Sequence, residues 1–279
     1  MKVFCVLLFF ILGIKSCEID DRDPSPRDCL GYKLDKRFFD DTTKLIYKVF
    51  VHQIYHDSLA YTVEELQEAI DSFSDSEEPN TLNKENIFFK VIGTRSGEFW
   101  RNHNVIDSSE QLPLWKLSVS NFESFTDLNK KRCLNLYLTK NDYDDFKGSA
   151  GTDIPTVNCA VQRQYLWTSS TIHELLHCLG CLHTHESDMT DGLNTKTGDK
   201  VCDTPSSPEL RPDLTRFCDF VIPGLSKRKS RILNTNLMSY SNSSCRNTLT
   251  TGQGSRIRRT TELNPQIYRT LLNLDNDKK

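Results

Sequence analysis

Residues 171–186 read "TIHELLHCLGCLHTHE". His173 and His177 stand four apart. On a helix that spacing puts both imidazoles on one face, one turn apart. Glu174 projects beside them, within reach of a water on an ion that the two rings share. This is the histidine–glutamate–two spacers–histidine pattern of zinc hydrolases. Taken alone, the short pattern also fits two satisfied histidines on a half-buried helix. The continuation "CLGCLH" separates the readings. On an unbroken helix His183 would lie some 240° around from His177 and point away. Gly180 resolves this, because glycine adopts the left-handed conformation that ends helices. The chain can then return His183 to the same ion. Three neutral nitrogens with one open position suit a catalytic tetrahedral zinc. Zinc would lower the pKa of a water in that position, with Glu174 as general base, which describes peptide-bond hydrolysis. A competing role for Glu174 is as the capping partner of Thr171, three residues before it, although Ser170 can cap as well.

Outward from this segment, the chain has 279 residues, 37% hydrophobic and 26% charged, with a net charge of −3. There is no basic excess to mark a nucleic-acid footprint. The opening "MKVFCVLLFFILGIKS" places Lys2 before an apolar run from Val3 to Ile14. That is the shape of a secretory signal peptide, and it is too short to span a bilayer. The expected division is a signal peptide over 1–16, a pro-region or flexible arm over 17–42, and a catalytic domain over 43–279. Secretion is expected, with no stable membrane insertion. Nine cysteines follow the signal: Cys17, Cys29, Cys133, Cys159, Cys178, Cys181, Cys202, Cys218 and Cys245. In a secreted chain they favour disulfides, and the odd number leaves one thiol for another use. "NSS" makes Asn242 a candidate glycosylation acceptor.

Strands are expected at 43–55, 87–93 and 132–139, where aromatic and β-branched residues cluster or alternate. A helix is expected at 62–73, capped by Thr62 with Glu65 three residues on. Residues 94–131 give no clear pattern. "CDFVIPGLSKRKSRILNTNLMSYS" (218–241) reads as loop. Its basic run 227–231 is either a solvated loop or a patch for nucleic acid or heparin. "NPQIYRTLLNL" (264–274) suggests one amphipathic helix through Ile267, Leu271 and Leu272. The order of elements implies an α+β domain.

The extended zinc motif resembles that of the metzincin metalloproteases. "NTNLMSY" (234–240) is similar to their methionine turn, which makes Met238 the support beneath the ligands and Tyr240 a candidate to steady the tetrahedral intermediate. Within the metzincins the chain resembles the pappalysins. "GDKVCDTP" (198–205), "LTTGQGSRIRR" (249–259), "CLNLYLT" (133–139) and "GSAG" (148–151) match their signature stretches, the last two as central and edge strands. The resemblance spans roughly 43–260. It implies an upper subdomain with a twisted mixed sheet, backing helix and active-site helix, above a zinc cleft and a loop-rich, disulfide-supported lower subdomain. Leu176, Cys178 and Cys181 depart from the family's usual glycine and small or aromatic residues, and "LWTSST" replaces its arginine-containing lead-in. The cysteines are either paired elsewhere or buried thiols.

The resemblance further implies calcium, with Asp199 and Asp203 as candidate ligands; Asp203 is otherwise a turn cap beside Pro205. It also implies latency, with Cys29 occupying the open zinc position in a zymogen; Cys29 is otherwise half of a disulfide. The expected activity is that of a zinc metalloendopeptidase acting on proteins or peptides held along the edge strand, with no nucleic-acid partner. Two alternatives remain. One is a catalytically silent secreted binding protein that keeps the fold. The other is a carrier or toxin whose zinc site is closed permanently, for example by Cys29.

Overall fold

The computed structural model describes residues 42–55, 60–72, 82–96, 132–139, 148–150, 154–185, 198–201, 203–205, 207, 210 and 217–272. The expected signal and arm, with Cys17 and Cys29, lie outside them, as do Cys202 and most of 94–131.

A five-stranded sheet organises the upper part, with spatial order β2-β1-β3-β5-β4. The strands are β1 (Leu45–Ile54), β2 (Ile87–Arg95), β3 (Leu134–Thr139), β4 (Gly148–Ala150) and β5 (Asn158–Gln162). The first, second, third and fifth run parallel, and β4 joins β5 antiparallel. β1 and β3 are buried almost throughout, as parallel strands covered on both faces must be. β3 holds the middle of the sheet, where the resemblance put it.

The capping box seen in the sequence forms. Thr62 Oγ1 accepts from Glu65 N–H at 3.2 Å, and Glu65 Oε2 accepts from Thr62 N–H at 2.7 Å. It opens helix α1 (Val63–Asp71), which buries Leu66, Ala69 and Ile70. Gln67, on the same helix, donates to Phe89 O at 3.0 Å and accepts from Val91 N–H at 2.8 Å. A side-chain amide thus covers the outer rim of β2, an edge that would otherwise offer unpaired backbone groups.

Below the sheet lie the histidine-bearing helix α2 (Ser169–Cys178), α3 (Lys227–Thr235), α4 (Thr251–Leu263) and the single turn α5 (Pro265–Tyr268). Three sequence expectations change here. The stretch 218–241 is not all loop, because Ser226 caps α3 and its Oγ accepts from Lys229 N–H. α3 buries only Ser230, Leu233 and Asn234, so its inner face carries too little apolar signal to read. Residues 251–263 also form a helix, opened by a Thr250–Gln253 capping box despite Gly252 and Gly254. The expected C-terminal helix stops after one turn. Beyond it the chain runs beside β1, with Lys48 N–H donating to Thr270 O and Leu272 N–H to Ile46 O, both at 2.8 Å. Leu271 therefore meets the core from an extended backbone.

The disulfide Cys218–Cys245 ties the segment before α3 to the segment before α4. Cys159, Cys178 and Cys181 are buried thiols outside any disulfide, and Cys133 is buried with its Sγ 3.9 Å from Asn135 Oδ1. Among the described residues no helix is long and apolar enough to cross a membrane.

α4 is locked to the sheet by polar groups. Tyr47 Oη lies 2.7 Å from Thr261 Oγ1. Arg258, 1% exposed, donates to Thr43 O at 2.7 Å and Glu85 O at 2.6 Å. Arg258→Met fills similar space but takes the donor from the buried Glu85 carbonyl and the half-buried Thr43 carbonyl. Urea denaturation of this variant should show a loss of about 2–4 kcal/mol, from roughly 1–3 per stranded group; a loss below about 0.5 would contradict the assignment.

Candidate metal centre

α2 starts at Thr168, whose hydroxyl accepts from Ser170 N–H. Neither Ser170 nor Thr171 caps it, so Glu174 is not a capping partner. The helix ends as the glycine requires. Gly180 sits at φ +91°. Its N–H donates to His177 O at 2.9 Å, and Cys181 N–H donates to Leu176 O at 3.1 Å. These two bonds form a Schellman turn. A Cβ at position 180 would lie 2.6 Å from Thr260 Oγ1, so the α4 side chain seats the turn. Arg256 adds a bond to Gly180 O at 2.8 Å. Cys178 closes the helix, while Cys181 lies past the turn.

The turn brings His183 back. The three Nε2 atoms are 3.1 Å (His173–His177), 2.9 Å (His177–His183) and 3.2 Å (His173–His183) apart. Among the described residues this is the one cluster of His, Cys, Asp or Glu side chains converging on a common point. The ring orientations are fixed from behind. His173 Nδ1 lies 2.6 Å from Leu237 O and His177 Nδ1 lies 2.7 Å from Cys181 O. A carbonyl only accepts, so each Nδ1 is the protonated nitrogen and each facing Nε2 presents a lone pair. Lone pairs this close repel unless a cation lies between them. A tetrahedral zinc with Zn–N of 2.0–2.1 Å spaces its ligands about 3.3 Å apart. The donor set and spacing fit that ion after an opening of a few tenths of an ångström.

Burial pushes the His183 imidazole down to about 3, aided by the neighbouring His177 and His185. It also holds His173 well below the usual range, with His177 and Arg246 adding to the effect. Both are therefore neutral, and ready to ligate, far into acid.

Glu174 is 6% exposed. Desolvation raises its carboxyl to about 8, against the opposing pull of Arg246 and of a hydrogen bond from Ala150 N–H on β4. A Cβ on Gly148 would lie 2.7 Å from Glu174 Oε1. The glycine lets the edge strand and the carboxylate meet.

The segment 234–240 lies beneath the ligands. Met238 is fully buried, and its N–H donates to Asn236 Oδ1 at 2.8 Å. Asn236 Nδ2 donates to Gln253 Oε1 at 3.0 Å, which fixes the turn to the start of α4. Leu237 O orients His173, and Met238 O accepts from Thr184 N–H at 3.1 Å, next to His183. The Tyr240 ring lies 4.7 Å from that of His183 and 6.0 Å from that of His173.

The sequence reading missed two neighbours. His185 stacks on His183 at 4.9 Å and contacts Tyr240 at 4.4 Å. Arg246, 7% exposed, donates to Ser239 O at 3.0 Å and Ser170 Oγ at 3.2 Å, joining the methionine turn to α2. Its guanidinium is pushed down to about 10 by burial, with Glu174 opposing. His185 lay within the quoted stretch, but its spacing matches no ligand position. Arg246 follows a cysteine in no pattern.

Asp199 and Asp203 hold α4 in place. Asp203 Oδ2 accepts from Gly252 N–H at 2.7 Å and Oδ1 from the Thr250 hydroxyl at 2.9 Å. Asp199 accepts from Val201 N–H at 3.1 Å and Gln253 Nε2 at 2.7 Å. Asp203 is thus a cap, though of a helix rather than of a local turn. The expectation of calcium draws no support from this arrangement. Asn242 is half-buried, and its Oδ1 accepts from Ser244 N–H and Oγ.

Two measurements check this geometry. Gly180→Ala adds left-handed strain of about 1–2 kcal/mol and a contact with Thr260. It should lower zinc affinity at least about tenfold, as loss of ligand support does; unchanged affinity would separate the turn from the site. With two ligands already neutral, zinc affinity by chelator competition should fall no more than about tenfold from pH 7.5 to pH 5.5, whereas three ordinary histidines near 6.5 would lose roughly a thousandfold.

Residues 158–262 match the peptidase family M43 model, described as pregnancy-associated plasma protein-A. No curated protein matches the chain. Among solved structures, mirolysin in complex with compound 9 superposes with a TM-score of 0.60 at 18% identity, covering 85% of this chain and 98% of that one. Mature mirolysin of Tannerella forsythia in complex with a cleaved peptide gives 0.53 at 18% identity, covering 84% and 98%. Those similarities concern the fold, while the family match falls on the segment that builds the metal centre. The matched segment, from β5 through α4, is thus similar to the M43 peptidases, and the fold around it is similar to that of mirolysin.

Proposed function

We propose that this protein is a secreted zinc-dependent metalloendopeptidase that hydrolyses peptide bonds in proteins or peptides. The observation that carries the reading is the buried Glu174 carboxylate, set beside three converging imidazoles and touching the edge strand through Ala150 N–H. His173, His177 and His183 would hold the ion. Zinc bound there supplies Lewis acidity to the attacking water and the scissile carbonyl.

The chain supplies the rest. A peptide laid along β4 by backbone pairing has its carbonyl carried past Glu174. Glu174 takes a proton from the attacking water at a carboxylate oxygen and returns it to the leaving amine. Its basicity, raised by burial, suits a group that must both accept and release a proton near neutral pH. Arg246 keeps that basicity from rising further and braces the turn beneath the ligands. The closeness of the Tyr240 ring to that of His183 supports a role for its hydroxyl in steadying the developing oxyanion. Secretion rests on the N-terminal segment "MKVFCVLLFFILGIKS", and the latency role of Cys29 rests on the sequence alone.

Glu174→Gln keeps the shape and removes the base. With zinc content unchanged, cleavage of a mixed peptide library by the arm-free chain should fall at least about a hundredfold. Equal cleavage by the two forms would remove Glu174 from the chemistry. Absence of cleavage in both, with zinc bound, would favour the silent binding protein.

A further inference from the structure

The basic run that read as loop is a helix face. Lys227, Arg228 and Arg231 stand at 0°, 100° and roughly 40° around α3, and all three are exposed. They line one side of a groove of about 720 Å³. Lys229 points the other way and does not line it. The far wall comes from the segment that follows the methionine turn, including Asn247 and Leu249. The Cys218–Cys245 disulfide joins the two walls and itself lines the groove. Among the described lining residues Asp219 is the one acid, so these residues together carry a net positive charge.

We propose that this groove is an exosite for an acidic segment of a polypeptide, held outside the cleft where the bond is cut; its identification as part of a substrate rests on the peptidase reading. Three observations choose that occupant. The cations call for an anionic ligand. Among the described residues the lining includes no aromatic ring on which nucleic-acid bases could stack. Ile232, Leu249 and the disulfide add apolar surface that a sulfated glycan cannot use, but that an apolar residue among glutamates and aspartates can.

The location favours a tether. Cys245 and Asn247 face the groove, while Arg246 between them turns inward to Ser170 and Ser239 at the metal centre. One short segment thus has the groove on one side and the chemistry on the other. A chain anchored in the groove keeps its neighbouring residues at high effective concentration near the cleft.

The test uses the full chain carrying Glu174→Gln and a fluorescein-labelled peptide of four Glu-Glu-Leu repeats, with binding read by anisotropy. Combined Lys227→Glu, Arg228→Glu and Arg231→Glu should weaken binding about tenfold or more, since three exposed charge pairs are lost and reversed. Lys229→Glu, on the other side of the helix, should change it less than about twofold, and raising salt from about 0.05 M to about 0.3 M should weaken the parent alone. Replacing leucine by glutamine in the probe should also weaken binding. Equal binding by parent and triple variant overturns the proposal. Binding of heparin or single-stranded RNA without the peptide overturns it as well. A cleavage arm with the active chain compares one substrate with and without the acidic repeat, and the repeat should lower KM only where the cations are intact. If neither substrate is cut while the probe still binds through the three cations, the peptidase reading falls and the groove stands as a peptide-binding site.

Discussion

Three nitrogen lone pairs pointed at one another make an unfavourable arrangement, and the surrounding structure is organised to hold it. Each of two rings is gripped through its protonated nitrogen by a backbone carbonyl, one from the methionine turn and one from the loop after Gly180. A ring free to rotate would relieve the repulsion. The carbonyls prevent that, so the site is set for a cation before one arrives.

Those carbonyls have supports of their own. The Leu237 carbonyl sits in a turn pinned by Asn236, Gln253 and Arg246. The Cys181 carbonyl follows a glycine seated against Thr260. Asn236, Gln253 and Thr260 all trace to α4 or the turn it holds, and α4 is bolted to the sheet by Arg258 and Tyr47. Helix α4 is therefore the common backing for the two carbonyls, from different parts of the chain, that orient His173 and His177. The acids that resemblance offered as calcium ligands, Asp199 and Asp203, serve this helix too.

What the sequence revealed depended on how local the physics was. The ligand spacing, the glycine break, the Thr62 capping box and the apolar strands each need only a few neighbouring residues to be read. α3 and α4 escaped because their inner faces are built from serine, asparagine, glycine and buried arginine, which carry no hydrophobic period. Leu271 and Leu272 suggested a helix because short apolar spacing fits either element, and the choice was made by pairing with β1 across more than two hundred residues. Arg246 and His185 owe their positions entirely to tertiary contacts, so no spacing rule could find them.

The sheet is guarded unevenly. Gln67 seals the β2 rim with a side chain, while β4 has no further strand on its outer side among the described residues. An unfolded or fraying polypeptide that seeks a sheet to join thus meets a closed border at one end. At the other it meets a short strand directly beside Glu174. On the peptidase reading proposed above, the edge that stray chains would most readily join is also the edge beside the group that would cut them.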